Sequence, residues 1–513
     1  MMRKTAFIVF LLAYSFGVSA QVLKTIEYEI SGRPTWQQLI PLGDKGVILF
    51  AKKDVTKAVI VKFDAELNKT WESEIFLDAE KKPTAFTVDN EHITFMFSET
   101  QGMYYQVFSI SLKDGKFDNK GFELREFFQD QDYVFFKDRI LMAGVNEKGA
   151  AFYKFDFNQD LGQFVQAELT GKAQVQYFRY DASRNTIESL WAIKEAGYTN
   201  EKKKKGEFIK DAYVVYAKYD TSGRLIIKNT IASNAGNFPL TATLTEISPA
   251  IKFISGTYQS NSGAKGIYVS KLEEGKTTFT KFYDYRQLLK GIPAIDDATV
   301  KKIADNFVLL PTKPVYGSNT LTLGGTFFQA NFQTVSTSTP YYGGYDPYPA
   351  YGRYGTYNNY PRTQSRQVFK GYNFLNGFVA SFDADGNLIS QSRIEMNLIS
   401  PQVQENLAVS ENKSTAVCTK GSLAISNLAE FARPDTYKLT DEIVDAKNAQ
   451  FVASYHGVRN WYGNYFLADG SRVKFEAIKE LDLPKEQSGK RKKRQQSLPQ
   501  TNIRKIIYLS KVQ

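Results

Sequence analysis

The feature that most constrains the fold is a repeated unit of two alternating strands joined by a turn rich in Asp, Gly or Asn. Copies occur at residues 58–71, 105–117, 150–164, 212–226, 266–279, 377–389 and 464–473. Asp-Gly between alternating strands is a strong hairpin signal, because Gly accepts the positive φ that tight turns require. An aromatic–Asp pair precedes the turn four times, at Phe63–Asp64, Phe155–Asp156, Tyr219–Asp220 and Phe382–Asp383.

A further apolar strand lies upstream of these hairpins, at residues 47–50, 93–97, 140–143, 187–192, 253–257 and 321–327. Successive turns are about 45 to 50 residues apart, a spacing typical of propeller blades. One small twisted sheet cannot bury both of its faces, whereas a ring of such sheets can. We therefore predict an all-β fold, a single β-propeller of seven or eight blades over residues 21–513. Tandem β-sandwiches are the alternative, and they fit the regular spacing less well.

The weakest unit is Val417–Leu439, where no Asp-Gly turn is visible. A ring must also be closed, and Leu23–Ile30 and Ile506–Val512 are the two terminal strands. We predict that these strands pair within one blade.

The turn pattern is aromatic–Asp–x–x–Gly–x–apolar, and Trp71 completes it once. This pattern resembles the repeats of PQQ-like β-propeller proteins and of exported bacterial β-propeller repeat proteins. The PQQ-like family includes quinone-dependent dehydrogenases and non-enzymatic scaffolds of outer-membrane protein assembly. The resemblance implies the fold class, and it assigns no functional residue in this chain.

Two insertions and a basic loop interrupt the repeats. Asp284–Ala304 has helical spacing of apolar residues, and Asp296 or Asp297 is suited to cap its second helix. Residues 334–367 are rich in Tyr, Gly and Pro, and residues 485–500 form a basic loop.

Seven tyrosines of the second insertion recur at every third residue: Tyr342, Tyr345, Tyr348, Tyr351, Tyr354, Tyr357 and Tyr360. Prolines exclude a helix there, and three residues per turn is the polyproline II period, which would align the rings along one edge. We predict that these tyrosines bind a glycan or a partner surface; a Tyr/Gly/Pro loop without such a role is the alternative. Arg353 and Arg362 would add positive charge.

The sequence offers few residues for chemistry. Only His92 and His456 are histidines, and Cys418 is the single cysteine, so the common metal sites are not expected. The segment around His456, Arg459 and Trp461 mixes an imidazole, a guanidinium and aromatic rings, which makes it a second candidate binding site; a loop packed against the core is the simpler interpretation. We assign no catalytic residue and expect no cofactor and no metal.

The formal net charge is +11, and two runs, Lys202–Lys205 and Lys490–Arg494, supply much of it. Solvated loops are the simplest interpretation, and weak contact with anionic surfaces is the alternative. We expect no nucleic-acid partner and no transmembrane segment.

These observations favour an exported, non-enzymatic binding or scaffold protein of a bacterial cell envelope, with an envelope protein or a glycan as partner. The alternative is a propeller hydrolase or lyase that acts on polysaccharide through carboxylates. The expected location is periplasmic or extracellular.

Export predicts a cleavage site. Arg3 and Lys4 precede the apolar run 5–16, and small residues at Val18 and Ala20 follow, as in a secretory signal peptide over residues 1–20. N-terminal sequencing of periplasmic or secreted material should begin at Gln21. A cytosolic product that retains residues 1–20 would contradict the prediction.

Overall fold

The structure is a computed structural model that describes most of the chain after the predicted signal peptide. The described residues are 22–30, 36–54, 56–78, 82–99, 103–136, 138–169, 172–181, 183–194, 212–231, 236–260, 262–292, 295–338, 363–400, 403, 405–409, 414–419, 422–432, 435–438, 449–462, 465–476 and 501–512. The predicted signal peptide lies outside them.

The strands form eight antiparallel sheets, and each sheet is one blade. The chain opens with β1 (Val22–Glu29), which belongs to the last blade. Blade 1 contains β2 (Trp36–Pro41), β3 (Val47–Lys52), β4 (Lys57–Phe63) and β5 (Lys69–Phe76); blade 2 contains β6 (Lys82–Val88), β7 (His92–Ser98), β8 (Tyr104–Ser111) and β9 (Phe117–Glu123). Blade 3 contains β10 (Gln129–Phe135), β11 (Arg139–Asn146), β12 (Gly149–Asp156) and β13 (Leu161–Gln166); blade 4 contains β14 (Lys172–Asp181), β15 (Thr186–Lys194), β16 (Ala212–Asp220) and β17 (Leu225–Ile231).

The later blades repeat this order, with the first strand broken in two in blades 5 and 6. Blade 5 contains β18 (Asn237–Pro239), β19 (Thr243–Glu246), β20 (Ile251–Ser260), β21 (Lys265–Glu273) and β22 (Lys276–Asp284); blade 6 contains β23 (Val308–Pro311), β24 (Val315–Gly317), β25 (Thr320–Ser338), β26 (Thr363–Phe382) and β27 (Leu388–Ser400). Blade 7 contains β28 (Leu407–Val409), β29 (Ser414–Thr419), β30 (Ser422–Asn427) and β31 (Asp435–Lys438); blade 8 contains β32 (Ala449–Tyr462), β33 (Tyr465–Glu476), β34 (Thr501–Val512) and β1.

The blades follow one another around a ring. The first strand of blade 3 contacts the first strands of blades 2 and 4, and the first strand of blade 1 contacts that of blade 8. Apolar layers fill the described junctions, from blades 8 and 1 round to blades 6 and 7. The second strand of a blade is consequently buried on both faces; in β3 all six residues are buried. The predicted single propeller is confirmed, with eight blades, and so is the resemblance to β-propeller proteins at the level of the fold.

The ring is closed by strands from the two ends of the chain. β1 pairs with β34 from Glu29 opposite Ile506 to Val22 opposite Val512, as predicted for the terminal strands. Lys24 Nζ also donates to the Glu66 carbonyl of blade 1 at 2.6 Å, and Lys511 Nζ lies 2.9 Å from Glu66 Oε1. The last blade therefore contains three C-terminal strands and one N-terminal strand. Closing the ring thus requires strands from both ends of the chain.

The predicted aromatic–Asp pairs lie at the turn between the third and fourth strands. Each Asp side chain accepts backbone N–H groups of its own turn; Asp383 Oδ1, for example, accepts from Asp385 N at 2.9 Å and from Asn387 N at 2.7 Å. The preceding aromatic ring is buried in all four cases. The Asp thus fixes the turn while its neighbour anchors the strand in the core.

The fourth strand of one blade packs against the turn between the third and fourth strands of the next blade. The Trp71 ring lies over Gly115, and Trp71 Nε1 donates to the Leu112 carbonyl at 3.1 Å. Phe279 covers Gly386 in the same way, and a Cβ on Gly386 would come within 2.5 Å of that ring. Gly386 has φ +73°, which the turn requires and which glycine adopts without strain. Its lack of a side chain also lets the Phe279 ring approach closely.

The helical insertion contains α1 (Tyr285–Lys290) and α2 (Asp297–Asn306). Asp296 caps α2 by accepting from Thr299 N at 2.7 Å, as its sequence position predicts. Leu288, Leu289 and Ile303 are buried in the layer between blades 5 and 6. Short 3-10 helices lie at Gly43–Lys45 and Leu428–Glu430.

Three details of the sequence prediction were wrong. Asp469-Gly470 is not a turn: it lies within β33, because blade 8 takes its fourth strand from the N-terminus and has no turn at that point. The segment around His456 is not a loop but part of strand β32. The Tyr-rich insertion is also shorter than 334–367, because β25 continues to Ser338 and β26 begins at Thr363.

The turn motif makes a prediction. Asn387 donates to Asp383 from its side chain and its backbone, which holds the pKa of that carboxyl below its usual range. Asp383→Ala should lower the melting temperature by about 1–2 °C at pH 7. A lowered carboxyl pKa gives stability that is present above about pH 4 and is lost as the pH falls further, so the difference should shrink below about pH 4. Asp385→Ala, at a neighbouring exposed carboxylate, should change little in the same thermal melts.

Candidate functional site

The two faces of the ring carry different connections. Strands alternate in direction, so the links between second and third strands all emerge on one face, which we call the insertion face. The Asp turns and the links between first and second strands emerge on the opposite face, which we call the turn face. Connections from one blade to the next, including the two α-helices, also lie on the insertion face.

Three of the links between second and third strands are far longer than the other five. In blades 1, 2, 3, 5 and 7 the link between second and third strands has two to five residues. In blades 4, 6 and 8 it has 17, 24 and 24 residues, at 195–211, 339–362 and 477–500. These segments contain both basic runs and the Tyr-rich sequence, and they lie outside the described residues. Together they hold 14 Lys and Arg against eight Asp and Glu, a net +6 of the chain's +11.

Blade 6 carries a two-stranded arm on this face. β23 pairs with β25 only as far as Phe328, and β27 pairs with β26 only as far as Tyr372. Beyond these points residues 329–338 pair only with β26, and residues 363–371 pair only with β25, within the described residues. The arm therefore extends past the blade, and its strands lead directly into the Tyr-rich segment.

Aromatic rings run from the core along one face of the arm. Phe374 is buried and stacks with Phe328 at 5.6 Å between ring centroids, and Phe328 contacts Tyr372 at 5.9 Å. Tyr372 contacts Phe369 at 5.1 Å, and Phe369 contacts Phe332 at 5.6 Å.

The two outermost rings of this row are exposed. Phe332 and Phe369 are cross-strand partners, and they are 55% and 45% exposed. A pair of exposed aromatic rings anchored to the core by packed neighbours is typical of a binding surface. The arm is the candidate functional site.

The structure describes only some of the binding residues that the sequence predicts. The seven tyrosines Tyr342 to Tyr360 lie outside the described residues. His456, Arg459 and Trp461 lie on β32, the first strand of blade 8, which contacts the first strands of blades 1 and 7. Their strand thus borders the centre of the ring, away from the arm on blade 6.

Two aspartates of β10, the first strand of blade 3, lie at the centre of the ring. Asp130 and Asp132 lie on either side of a bulge in β10 and pair with Gly144 and Ala143 respectively. Adjacent residues of β11 point to opposite faces of the sheet, so the two carboxylates do too. Asp130 accepts from the Tyr133 hydroxyl, whereas Asp132 accepts only from Tyr133 N at 2.8 Å. The two do not form an acid–base pair.

A cleft of about 480 Å³ lies between blades 2 and 3, lined by Glu123, Arg125, Asp160 and Tyr153. The Tyr153 hydroxyl lies over Gly162, 1.8 Å from where a Cβ would stand, so this ring covers a glycine of the adjacent strand. Glu123, Arg125 and Asp160 supply the charged side chains of the lining.

A buried ionic network joins blades 4 and 5. Lys252 Nζ lies 3.1 Å from Glu188 Oε1 and 3.5 Å from Glu246 Oε1, and the Tyr216 hydroxyl donates to Glu188 at 3.0 Å. Burial, with Glu188 alongside, raises the pKa of Tyr216. Every charge has a partner, so the network is a blade-to-blade contact.

In the described part of the chain, no three His, Cys, Asp or Glu side chains are grouped as a metal site requires. None of the described helices is both long and apolar enough to span a membrane.

No protein-family model and no curated protein matches the chain. Similar solved structures include a functionally unknown protein from Desulfotomaculum acetoxidans, which is 10% identical over 73% of this chain and 90% of that one, with a TM-score of 0.35. The β-propeller domain of the Trilobed protease from Pyrococcus furiosus is 8% identical over 77% and 95%, with a TM-score of 0.33. The dihydro-heme d1 dehydrogenase NirN in complex with DHE is 9% identical over 92% and 82%, with a TM-score of 0.41. These similarities assign no function.

Asp132 gives a pH-dependent prediction. Burial raises its pKa to about 6, above the value of about 3.9 in an unfolded chain. Folding therefore favours the protonated acid, and stability falls as the pH rises from about 4 to 6. Asp132→Asn should stabilise the protein above pH 6, by on the order of 2 kcal/mol, and the gain should shrink towards pH 4. Denaturant unfolding at several pH values measures it, and Asp130→Asn, where the carboxylate accepts a phenol, should give no such gain.

Proposed function

We propose that this is an exported, non-enzymatic binding or scaffold protein of a bacterial cell envelope, and that it contacts its partner with the insertion face. The observation that carries the proposal is the exposed pair Phe332 and Phe369 at the end of the aromatic row. Nothing in the ring requires this arm, because the blade 6 sheet is complete at Phe328 and Tyr372. Exposed aromatic area carries an aggregation cost unless a partner covers it.

The Tyr-rich segment also supports binding of the partner at the insertion face. It joins the paired arm residues Ser338 and Thr363, a connection that two to five residues normally close in a hairpin. This chain uses 24 residues there. With their three-residue spacing, the seven tyrosines would extend the aromatic surface that Phe332 and Phe369 begin.

Charge supports an anionic partner. The three long connections on the insertion face carry a net +6. A positive surface raises the association rate with negatively charged envelope components. Since salt screens such attraction, binding should weaken as the ionic strength rises.

The hydrolase alternative requires two carboxylates that flank one bond. Asp130 and Asp132, at the centre of the ring, point to opposite faces of their sheet. The exposed rings of the arm thus support binding, whereas the Asp130 and Asp132 pair gives no support to the hydrolase. Turnover of an acidic polysaccharide by the purified mature protein would reverse this preference.

Loss of the exposed rings should abolish binding without unfolding the ring. Phe332→Ser with Phe369→Ser should reduce retention of the partner from envelope extract at least tenfold and leave the melting temperature within about 2 °C, because exposed positions contribute little to stability. Ile226→Ser is the matched control, since Ile226 is 51% exposed on blade 4 away from the arm. Equal retention by both variants would contradict the proposal.

Deletion of residues 341–361 tests whether the Tyr-rich segment is needed for binding or for stability. Long surface loops cost little to shorten, so the melting temperature should be nearly unchanged. Retention of the partner should be lost. Unchanged binding would show that the tyrosines have no role in it, and a collapsed melt would show that they are structural.

A further inference from the structure

The arm has an open strand edge, on the side of β25 that pairs with β23 at the base of the arm. β23 ends its pairing with β25 at Val308 opposite Phe328, and from Gln329 to Ser338 β25 pairs only with β26 in the part of the chain that the structure describes. Every second one of these ten residues thus presents its backbone N–H and C=O groups along a free edge. Such an edge is a template for an added strand.

This edge lacks the features that normally protect one. Residues 329–338, QANFQTVSTS, contain no charged residue and no proline. Seven of the eight outer strands of the blades contain at least one charge. The exception, β13, has six residues and is interrupted by Gly162. Natural proteins use charges and prolines to prevent edge pairing, so the arm edge is open where the other long edges are blocked.

The arm also offers a place for side chains of an added strand. Phe332 stands on β25, and Phe369 stands directly opposite it on β26. A strand that pairs with β25 would place every second side chain on the same face as these rings. Main-chain hydrogen bonds would then hold the strand, and the ring of Phe332 would select an apolar residue.

The charge of blade 6 and its Tyr-rich segment indicates which kind of strand would pair with the arm. Residues 307–382 contain five Lys and Arg against one acidic residue, Asp346. A second copy is disfavoured, because antiparallel pairing of two arms would turn two basic insertion faces towards each other. An extended strand flanked by acidic residues has the complementary charge.

We propose that residues 329–338 of β25 take up, by β-addition, an extended strand of another envelope protein that is flanked by acidic residues. This inference rests on the proposed function, whose partner class it specifies.

The test uses a defined probe and the mature protein. A fluorescent ten-residue peptide of alternating Val and Thr, with two Glu added at each end, should bind with a measurable Kd in an anisotropy titration. The same peptide with Lys ends should bind at least tenfold more weakly. A variant with residues 331–370 replaced by Asn-Gly should not bind, because it lacks the arm while keeping the blade.

Amide hydrogen exchange supplies the signature of β-addition. The bound Glu-ended peptide should slow exchange at alternate residues between Gln329 and Ser338, since only every second N–H of an edge strand points outward. Equal binding to the variant without the arm, or unchanged exchange in the arm, would overturn the proposal. Dimers of the protein that the arm deletion dissociates in sedimentation would also overturn it, by assigning the edge to a second copy.

These experiments distinguish failure of β-addition from failure of the proposed binding function. If Phe332→Ser with Phe369→Ser abolishes retention of the envelope partner while the peptide leaves exchange unchanged, the binding face stands and β-addition is wrong. If neither variant nor peptide has any effect, both are wrong.

Discussion

The structure depends on one constraint: a small antiparallel sheet with two apolar faces must have both of them covered. The second strand of blade 1 shows the constraint most clearly, because Val47 to Lys52 are all buried. A two-layer sandwich would cover one face of each sheet, whereas a ring gives every sheet two neighbours. The apolar layers between successive blades, and the closing pair β1 and β34, follow from it.

Local signals in the sequence predicted much of this fold because they act at short range. Asp64, Asp156, Asp220 and Asp383 each fix a turn through hydrogen bonds to residues two to four positions further along. Asp296 caps its helix in the same way. Such contacts depend on adjacent residues, so the sequence predicts them without knowledge of the remainder of the molecule.

Other elements depend on contacts across the whole chain. Asp469-Gly470 has the composition of a turn, yet it lies within β33 because β34 and β32 pair on both sides of it. The arm is a second case: Phe332 and Phe369 are separated by the Tyr-rich segment, and only the register of β25 with β26 brings them together. The candidate site was therefore missed in part, although the alternating residues on both sides of that segment were a usable signal.

The two faces of the ring carry different elements. Its turn face holds the Asp turns, where Trp71 and Phe279 pack on glycines of the next blade. Its insertion face holds the arm, the two α-helices and the three long connections. Tyr285 of α1 packs on Phe327 at 5.1 Å, so the helical pair braces the base of the arm. An arm anchored in this way would bind the proposed partner at low entropic cost, because its exposed rings are already held in place.

The central claim is that the insertion face, and not the turn face, meets the partner. Amine acylation of lysines, compared between the purified protein and the protein in intact envelopes, tests it most directly. Lys148 and Lys370 lie on the insertion face and Lys116 and Lys276 on the turn face, and all four are exposed. The account predicts that envelopes protect Lys370 most strongly and Lys148 next, and leave Lys116 and Lys276 unchanged. Protection of Lys116 and Lys276 with free acylation of Lys370 would contradict it.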